Sequence, residues 1–164
     1  MNGFPVFVAG AKGLFGLFEA YFQEKAFLKA QSHFKRGAEC GLEALGFLVG
    51  RVFSHEGKNY VVVEDYLTAE NNATAVSVRF SDEAFSSLSR GLKQRKGMIL
   101  VGWAHSHPSY GCFLSSTDVR TQKVFFQEDF HVALVCDPMR PECKAFKVSR
   151  GRTREASFAV IKKK

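Results

Sequence analysis

Three residues between positions 105 and 118 have types and spacing that could bind a metal ion. His105 and His107 stand two apart at the end of an apolar run. Because side chains of a strand alternate between its two faces, both imidazoles leave on the same side. Asp118 comes eleven residues after His107, and the loop between them contains Pro108 and Gly111. We expect this loop to fold back and bring the Asp118 carboxylate to the two imidazoles.

Two imidazoles and one carboxylate form a three-ligand zinc site whose fourth position would be left for water. Such a site is catalytic in type, since a structural zinc normally has four protein ligands. Zinc would lower the pKa of its water toward about 7, and a carboxylate would be needed as general base. Spacing does not choose among the glutamates, and the candidates include Glu39, Glu43, Glu64 and Glu70.

A second interpretation of the same segment needs no metal. Ser115 and Asp118 stand three residues apart ahead of a helical pattern, which is also the arrangement of a helix capping box. His105 could be a strand histidine that is partly buried in the core. Pro108 would then merely end the strand, and Gly111 would merely turn the loop. Both interpretations stay open on the residues alone.

The elements around this segment predict an α/β protein. Residues 98–105 form an unbroken apolar run, typical of a strand that is covered on both faces of a sheet. A helix is predicted from about residue 116 to residue 127. Further strands are predicted at residues 5–9, 42–52, 60–66, 73–80, 131–136 and 144–148, and residues 157–161 are predicted as a strand or a helical turn.

Two more helices are predicted upstream. The first is an amphipathic helix in which Leu14, Phe18, Tyr21 and Phe22 recur at helical spacing, and it is expected to end near Gly37. The second begins at residues 81–83 and stops at residue 97. The length suits one domain with a substantial core, so residues 1–164 are predicted to form a single domain.

Composition narrows the class of protein. Apolar residues make up 46% and charged residues 24% of the chain, which is typical of folded globular proteins. The net charge of +7 comes from dispersed basic residues without an aromatic-interleaved motif, so we expect no binding of nucleic acid. The N-terminus fits neither a signal peptide nor a membrane span, and a cytoplasmic protein without membrane association is expected.

The four cysteines form no Cys-x-x-Cys pair, so a cysteine zinc knuckle is not expected and a reducing compartment is the default. Cys136 and Cys143 flank a short turn that contains proline, and they could face each other across a hairpin. Two half-buried free thiols are the preferred interpretation.

The segment from Gly102 to Gln122 contains the pattern His-x-His-Pro-x(6)-Ser-x(2)-Asp without a gap. In this it resembles the core of the JAMM (MPN+) metalloproteases, and it is most similar to their proteasome-lid and signalosome members. Residues 43–50 look like the upstream strand of that family, and Asp137-Pro138 matches an Asp-Pro that follows a later strand. Ala104 and Phe113 depart from the Tyr and Trp usual in these relatives, which concerns the walls around the metal.

The resemblance implies an α/β fold with a mixed β-sheet flanked by helices, similar to the cytidine deaminases. It implies that Zn²⁺ is held by His105, His107 and Asp118, that Glu43 is the general base, and that Ser115 helps to stabilise the oxyanion. The implied enzyme is a metallo-isopeptidase that hydrolyses the bond between the C-terminus of ubiquitin or a ubiquitin-like modifier and a lysine amine. Conjugates of such modifiers are the implied partners, and the proteasome is a candidate assembly.

Two alternatives keep the family and change the function. One is a JAMM protease that acts on prokaryotic modifiers of the sulfur-carrier type, and the other is a non-catalytic MPN scaffold. A zinc deaminase is a third class, but its H-x-E and P-C-x-x-C signature is absent from the sequence.

Overall fold

A mixed β-sheet carries the segment that contains the two histidines. The computed structural model describes residues 6–9, 15–69, 80–140 and 142–162. Within them the strands are β1 Val6–Ala9, β2 Ala20–Gln23, β3 Leu45–His55, β4 Lys58–Thr68, β5 Ile99–Ser106, β6 Val132–Asp137, β7 Glu142–Ser149, β8 Arg152–Ala156 and β9 Phe158–Lys162. The helices of the same residues are α1 Glu24–Glu39, α2 Asp82–Lys93 and α3 Ser116–Phe125.

The strands form one sheet in the order β1-β9-β2-β4-β3-β5-β6-β7-β8 over the described part of the chain. β5 pairs antiparallel with β3 and parallel with β6, so it lies in the interior of the sheet. Parallel pairing also joins β2 to β4 and to β9. The predicted fold class, a mixed β-sheet flanked by helices, is confirmed.

Helices cover both faces of the sheet. On one face α1 buries Ala26, Phe27 and Phe34 in the same core cluster as Leu48 of β3. On the other face α2 contributes to a second cluster, which includes Trp103 of β5. Full burial of a large apolar side chain contributes roughly 1.5–3 kcal/mol. This double cover explains the unbroken apolar run at residues 98–105.

The first predicted helix is wrong in its first half. Phe18 lies outside any helix or strand, and Leu14 lies outside the described residues. Residues 20–23 form β2, where the side chains of Tyr21 and Phe22 enter different core clusters. Alternation between two faces is the period of a strand, and pairing with β4 and β9 overrides the helical spacing. The helix begins only at Glu24.

The remaining predictions have mixed outcomes. The hairpin of β3 and β4 is confirmed, as are α2, β5, α3, β6 and β7. The segment at residues 157–161 is a strand, β9, and β8 was not predicted. Of the strand predicted at residues 73–80, residues 73–79 lie outside the described residues. No helix of the described residues is long and apolar enough to cross a membrane.

The preferred interpretation of Cys136 and Cys143 as free thiols is wrong. The two residues pair directly across the antiparallel strands β6 and β7, their Cα atoms are 4.1 Å apart, and their sulfurs form a disulfide. Gln31 of α1 lies over both sulfurs, with Nε2 at 3.2 Å from Cys136 and 2.9 Å from Cys143. The register of the hairpin, which spacing alone did not fix, brings the cysteines together.

Candidate metal centre

β5 and its neighbours position the two histidines. His105 lies within β5 and faces Leu45 of β3 in the antiparallel register. His107 follows directly after the strand, and its N–H donates to the carbonyl of Cys136 at 2.9 Å, which continues the pairing with β6. Both side chains are buried, with 1% of His105 and 4% of His107 exposed. The two imidazoles therefore extend from a buried, interior part of the sheet.

A buried hydrogen bond fixes the orientation of α3 against β5. The His105 ring stacks on the indole of Trp103, with ring centroids 4.5 Å apart. Trp103 Nε1 donates to Gln122 Oε1 at 2.6 Å, and Gln122 Nε2 donates to the carbonyl of Phe126. Gln122 is one helical turn after Asp118, and residues four apart share a helix face. The bond that ties Gln122 to β5 consequently turns Asp118 toward the histidines.

Three side-chain atoms converge at this place. Nε2 of His105 lies 3.1 Å from Nε2 of His107, and Asp118 Oδ2 lies 3.4 Å from the former and 3.5 Å from the latter. Zinc bonds to nitrogen and oxygen of about 2.0–2.2 Å place tetrahedral ligand atoms about 3.3–3.6 Å apart. The triangle therefore has the size and the donor types of three zinc ligands.

Burial and charge shift the pKa of all three groups. Burial alone would raise the pKa of Asp118, but hydrogen bonds from His105 and His107 outweigh it and hold the pKa well below the ordinary value. Burial lowers the pKa of His105 although Asp118 opposes it. His107 is also desolvated, yet Asp118 and Glu43 raise its pKa above the ordinary value. The carboxylate of Asp118 is thus ionised, as a metal ligand must be.

The capping box that the sequence also allowed is present at the same residues. Asp118 N–H donates to Ser115 Oγ at 3.2 Å, and Ser115 N–H donates to Asp118 Oδ2 at 2.7 Å. The two interpretations of this segment are therefore compatible, because Asp118 Oδ2 both caps α3 and faces the two imidazoles. The hydrogen bond from Ser115 thus fixes the same carboxylate oxygen that faces the imidazoles.

Glu43 lies beside the three converging atoms, just before β3. Its neighbour Ala44 is bound twice to Ser106, since Ser106 N–H donates to the Ala44 carbonyl at 2.9 Å and Ala44 N–H donates to Ser106 Oγ at 3.0 Å. Burial raises the pKa of Glu43, while His107 lowers it and Asp118 raises it, so the carboxylate is in electrostatic reach of both. The charges of His107 and Asp118 therefore act on the Glu43 carboxylate, as the position of a general base requires.

Three buried polar residues that support the candidate metal centre were not predicted from the sequence as part of it. Ser106 and Gln122 are buried polar side chains whose hydrogen bonds join β5 to the Glu43 segment and to α3. Asp137, noticed only as part of an Asp-Pro pair, is fully buried and binds the loop after His107. An acidic residue at the end of an apolar strand, next to a predicted site, is the signal that could have found it.

Comparison with known proteins places the chain in a family. The family described as "JAB1/Mov34/MPN/PAD-1 ubiquitin protease" matches residues 20–129. The ubiquitin carboxyl-terminal hydrolase RPN11 of Saccharomyces cerevisiae is 35% identical over 123 residues, which cover 73% of this chain and 39% of that protein. COP9 signalosome complex subunit 5 of Caenorhabditis elegans is 36% identical over 120 residues, 70% of this chain and 31% of that protein. The chain thus spans less than half the length of these curated relatives.

A solved structure has a similar fold. The solution structure of a protein from Desulfitobacterium hafniense superposes with a TM-score of 0.66 at 22% identity and covers 88% of this chain and 94% of that one. The family match extends over β2 to the end of α3 and so includes Glu43, both histidines, Ser115 and Asp118. This chain belongs to the JAB1/Mov34/MPN/PAD-1 ubiquitin protease family.

Proposed function

We propose that the protein is a zinc-dependent isopeptidase that hydrolyses the bond between the C-terminus of ubiquitin, or a ubiquitin-like modifier, and a lysine amine. The observation that carries the proposal is the triangle of His105 Nε2, His107 Nε2 and Asp118 Oδ2, with sides of 3.1–3.5 Å, beside the Glu43 carboxylate. Family membership and relatives named as a ubiquitin hydrolase and a signalosome subunit support the substrate class.

His105, His107 and Asp118 would hold the metal through the three converging atoms. Zinc at such a site lowers the pKa of a water to about 7 and polarises a carbonyl oxygen. Three protein ligands leave one position open, which distinguishes a catalytic site from a structural one. The two histidines are almost completely buried, so their imidazoles are shielded from bulk water.

Glu43 is proposed as the general base. Its carboxylate would take a proton from the attacking water, and the water oxygen would bond to the isopeptide carbonyl carbon. When the carbon–nitrogen bond breaks, the same proton would return to the leaving lysine amine. Burial raises the pKa of the Glu43 carboxyl group, which makes the carboxylate a stronger base toward the attacking water. A pKa closer to the operating pH favours both the uptake of the proton and its return to the leaving amine.

Ser115 is proposed to stabilise the oxyanion that forms during the attack. Its hydroxyl oxygen accepts the N–H of Asp118, which does not use the hydroxyl hydrogen, so the O–H can still donate. The cap therefore fixes the position of the donor ahead of the reaction, and a preorganised donor is worth more than one that must be ordered.

Cys112 is not proposed as a nucleophile. Burial and the nearby Glu142 raise the pKa of its thiol to about 11, so the thiol stays protonated at neutral pH. Its Sγ donates to the carbonyl of Glu142 at 3.3 Å, which fits a loop residue. Hydrolysis would then proceed without a covalent acyl intermediate.

The test combines metal analysis with a di-ubiquitin cleavage assay. The wild type is expected to bind one zinc and to cleave, Glu43→Gln to bind zinc without cleaving, and His107→Ala to lose both. Cys112→Ser is the control, and it is expected to cleave like the wild type, which a thiol protease would not do.

Each other outcome has a definite meaning. Zinc binding with cleavage only of conjugates to a sulfur-carrier-type modifier would replace ubiquitin by that modifier. Zinc binding without cleavage of either conjugate would make the protein a non-catalytic member of the family. If Glu43→Gln and His107→Ala both matched the wild type, the proposed mechanism would be wrong.

A further inference from the structure

The fully buried carboxylate of Asp137 binds the loop that follows His107 of the candidate metal centre. Asp137 ends β6 and is 0% exposed. Its Oδ1 accepts the N–H groups of Ser109 and Met139, each at 3.0 Å, and its Oδ2 accepts the N–H of Gly111 at 3.0 Å. Arg140 Nε lies 3.7 Å from Oδ2. A buried charge of this kind needs several donors, and here most of them come from backbone.

Two of these donors belong to the loop directly after His107, and that loop has an unusual backbone. Ser109 has φ +68° and Gly111 has φ +83°, so both are in the left-handed region. A residue other than glycine adopts this region uncommonly, and the cost has to be offset by contacts around it. The N–H groups of both residues converge on the Asp137 carboxylate in the manner of an anion-binding nest. Asp137 therefore holds the loop at both of its residues with a left-handed backbone.

The same loop binds one of the two histidines. The Gly111 carbonyl lies 3.2 Å from His107 Nδ1. Because a carbonyl can only accept, this bond requires the hydrogen on Nδ1. In a neutral imidazole the lone pair is then on Nε2, the atom that faces His105 and Asp118. Gly111 is thus held at its N–H by Asp137 and holds His107 through its carbonyl.

The other histidine is held differently. His105 stacks on Trp103, and its Nδ1 is the one buried side-chain polar atom of the described residues that has no hydrogen-bond partner. Packing orients that ring, whereas a hydrogen bond orients His107. A change at Asp137 would consequently act on the hydrogen bond to His107 and not on the stacked His105 ring.

We propose that Asp137 is a positioning residue of the metal centre, which holds the 109–111 loop so that the Gly111 carbonyl fixes the ring orientation and tautomer of His107. The proposal rests on the zinc site of the proposed function. Outer-shell partners of metal-binding histidines typically change metal affinity by about 10–100-fold when mutated. Asp137 binds Gly111, and the Gly111 carbonyl in turn binds His107, so Asp137 acts on the histidine through one intervening residue.

Asp137→Asn tests the proposal by changing one bond. An asparagine whose carbonyl takes the place of Oδ1 can still accept from Ser109 and Met139, but its NH₂ group opposes the N–H of Gly111. The expected result is a zinc dissociation constant about 10-fold or more above that of the wild type, measured by competition with a chromophoric chelator. The visible spectrum of the Co²⁺-substituted protein is expected to change as well, since it reports ligand geometry.

Asp65→Asn is the matched control. Asp65 is a partly buried carboxylate of β4 that binds Lys29 and Arg95 and has no contact with the metal centre. This variant is expected to be less stable than the wild type but to bind zinc within about twofold of it. If Asp137→Asn behaved in the same way, Asp137 would be a stabilising residue only, and the proposal would be overturned.

A second pair of variants decides the matter if Asp137→Asn fails to fold. A Cβ at Gly111 would meet nothing nearer than the Arg140 guanidinium at 4.0 Å, so Gly111→Ala and Gly111→Asn differ mainly in their tolerance of a left-handed backbone. Gly111→Ala is expected to weaken zinc binding more than Gly111→Asn does. Equal, wild-type affinity in both would count against the proposal, whereas a wild type that binds no zinc would overturn the proposed function itself.

Discussion

Two helices of this protein begin with the same cap and end up in different roles. At α2 the N-cap Ser81 accepts the N–H of Ala84 at 3.2 Å, and at α3 the N-cap Ser115 accepts the N–H of Asp118 at the same distance. Both helices also carry acidic residues in the first turn. As local structures the two N-termini are nearly equivalent, and capping chemistry explains each of them.

The difference lies in the third helical residue and in what faces it. Ala84 is fully buried in the apolar cluster beneath α2, and the acids of that helix, Asp82 and Glu83, are exposed. At α3 the third residue is Asp118, whose Oδ2 meets two imidazoles that come from β5. A cap therefore becomes part of a candidate metal site only when tertiary structure brings further donors to the capping carboxylate.

The largest expected effect comes from removing that carboxylate charge. Asp118→Asn can still accept the N–H of Ser115, so the helix is expected to form, but a neutral amide is a poor zinc ligand. Zinc affinity is expected to fall by more than about 100-fold, beyond the usual effect of outer-shell changes, and cleavage to disappear. Chelator competition and circular dichroism measure the two effects. A variant that kept zinc would remove Asp118 from the site.

The two cap serines make a matched pair. Ser115→Ala and Ser81→Ala should each cost about 1 kcal/mol in the free energy of unfolding, because each leaves a helix N–H without its cap. Only Ser115→Ala should also lower the rate of isopeptide hydrolysis, by about 100- to 1000-fold, because an oxyanion donor is lost. Urea denaturation and steady-state kinetics measure the pair. Equal activity in both variants would mean that Ser115 is a cap and nothing more.

Removal of the metal should lower the stability of proteins that keep Asp118 and leave the stability of Asp118→Asn unchanged. At free zinc about 100 times the dissociation constant, binding adds about 2.7 kcal/mol to the folded state. A strong chelator should therefore lower the unfolding temperature of the wild type and of Ser81→Ala alike, by roughly 5–10 °C. Asp118→Asn should show no shift. Differential scanning calorimetry with and without chelator provides the measurement.

The smallest effect concerns Asp65, a carboxylate with cationic partners and no metal role. Burial alone would raise its pKa, but hydrogen bonds from Lys29 and Arg95 hold the pKa below the ordinary value of 3.8. The stabilisation is thus present above about pH 4 and is lost as the pH falls through the lower, folded-state pKa. Asp65→Asn should cost about 1–2 kcal/mol at pH 7 and less at pH 3. Urea denaturation at both values tests this, and a constant difference would contradict it.

Much of the fold was predictable because its signals are local. The hairpin of β3 and β4, the buried run of β5 and the serine-capped start of α2 each follow from the periodicity or the cap residues of a short segment. β2 was not predictable in this way. Its four residues also fit a helical spacing, and only the parallel pairing with β4 and β9 makes them a strand.

In the candidate site, too, some features follow from the local sequence and others depend on contacts between distant segments. The order of His105, His107, Ser115 and Asp118 in the chain determined which donors were available, and it allowed a metal site, a capping box or both. Spacing could not choose Glu43 among the glutamates, because its approach to His107 depends on the antiparallel pairing of β3 with β5. Nor could it show that Asp137, thirty residues beyond His107, shapes the loop between the histidines and α3.

The physical reason is the distance along the chain over which each interaction acts. Helix caps, strand alternation and loop glycines act over a few bonds along the chain, so the sequence alone determined them and with them the identity of the donor atoms. The distances of 3.1–3.5 Å among those atoms depend on strand register and on the Trp103–Gln122 hydrogen bond, which join segments far apart in the chain. Only the tertiary structure decided that a cap, two histidines and a glutamate would meet at one point.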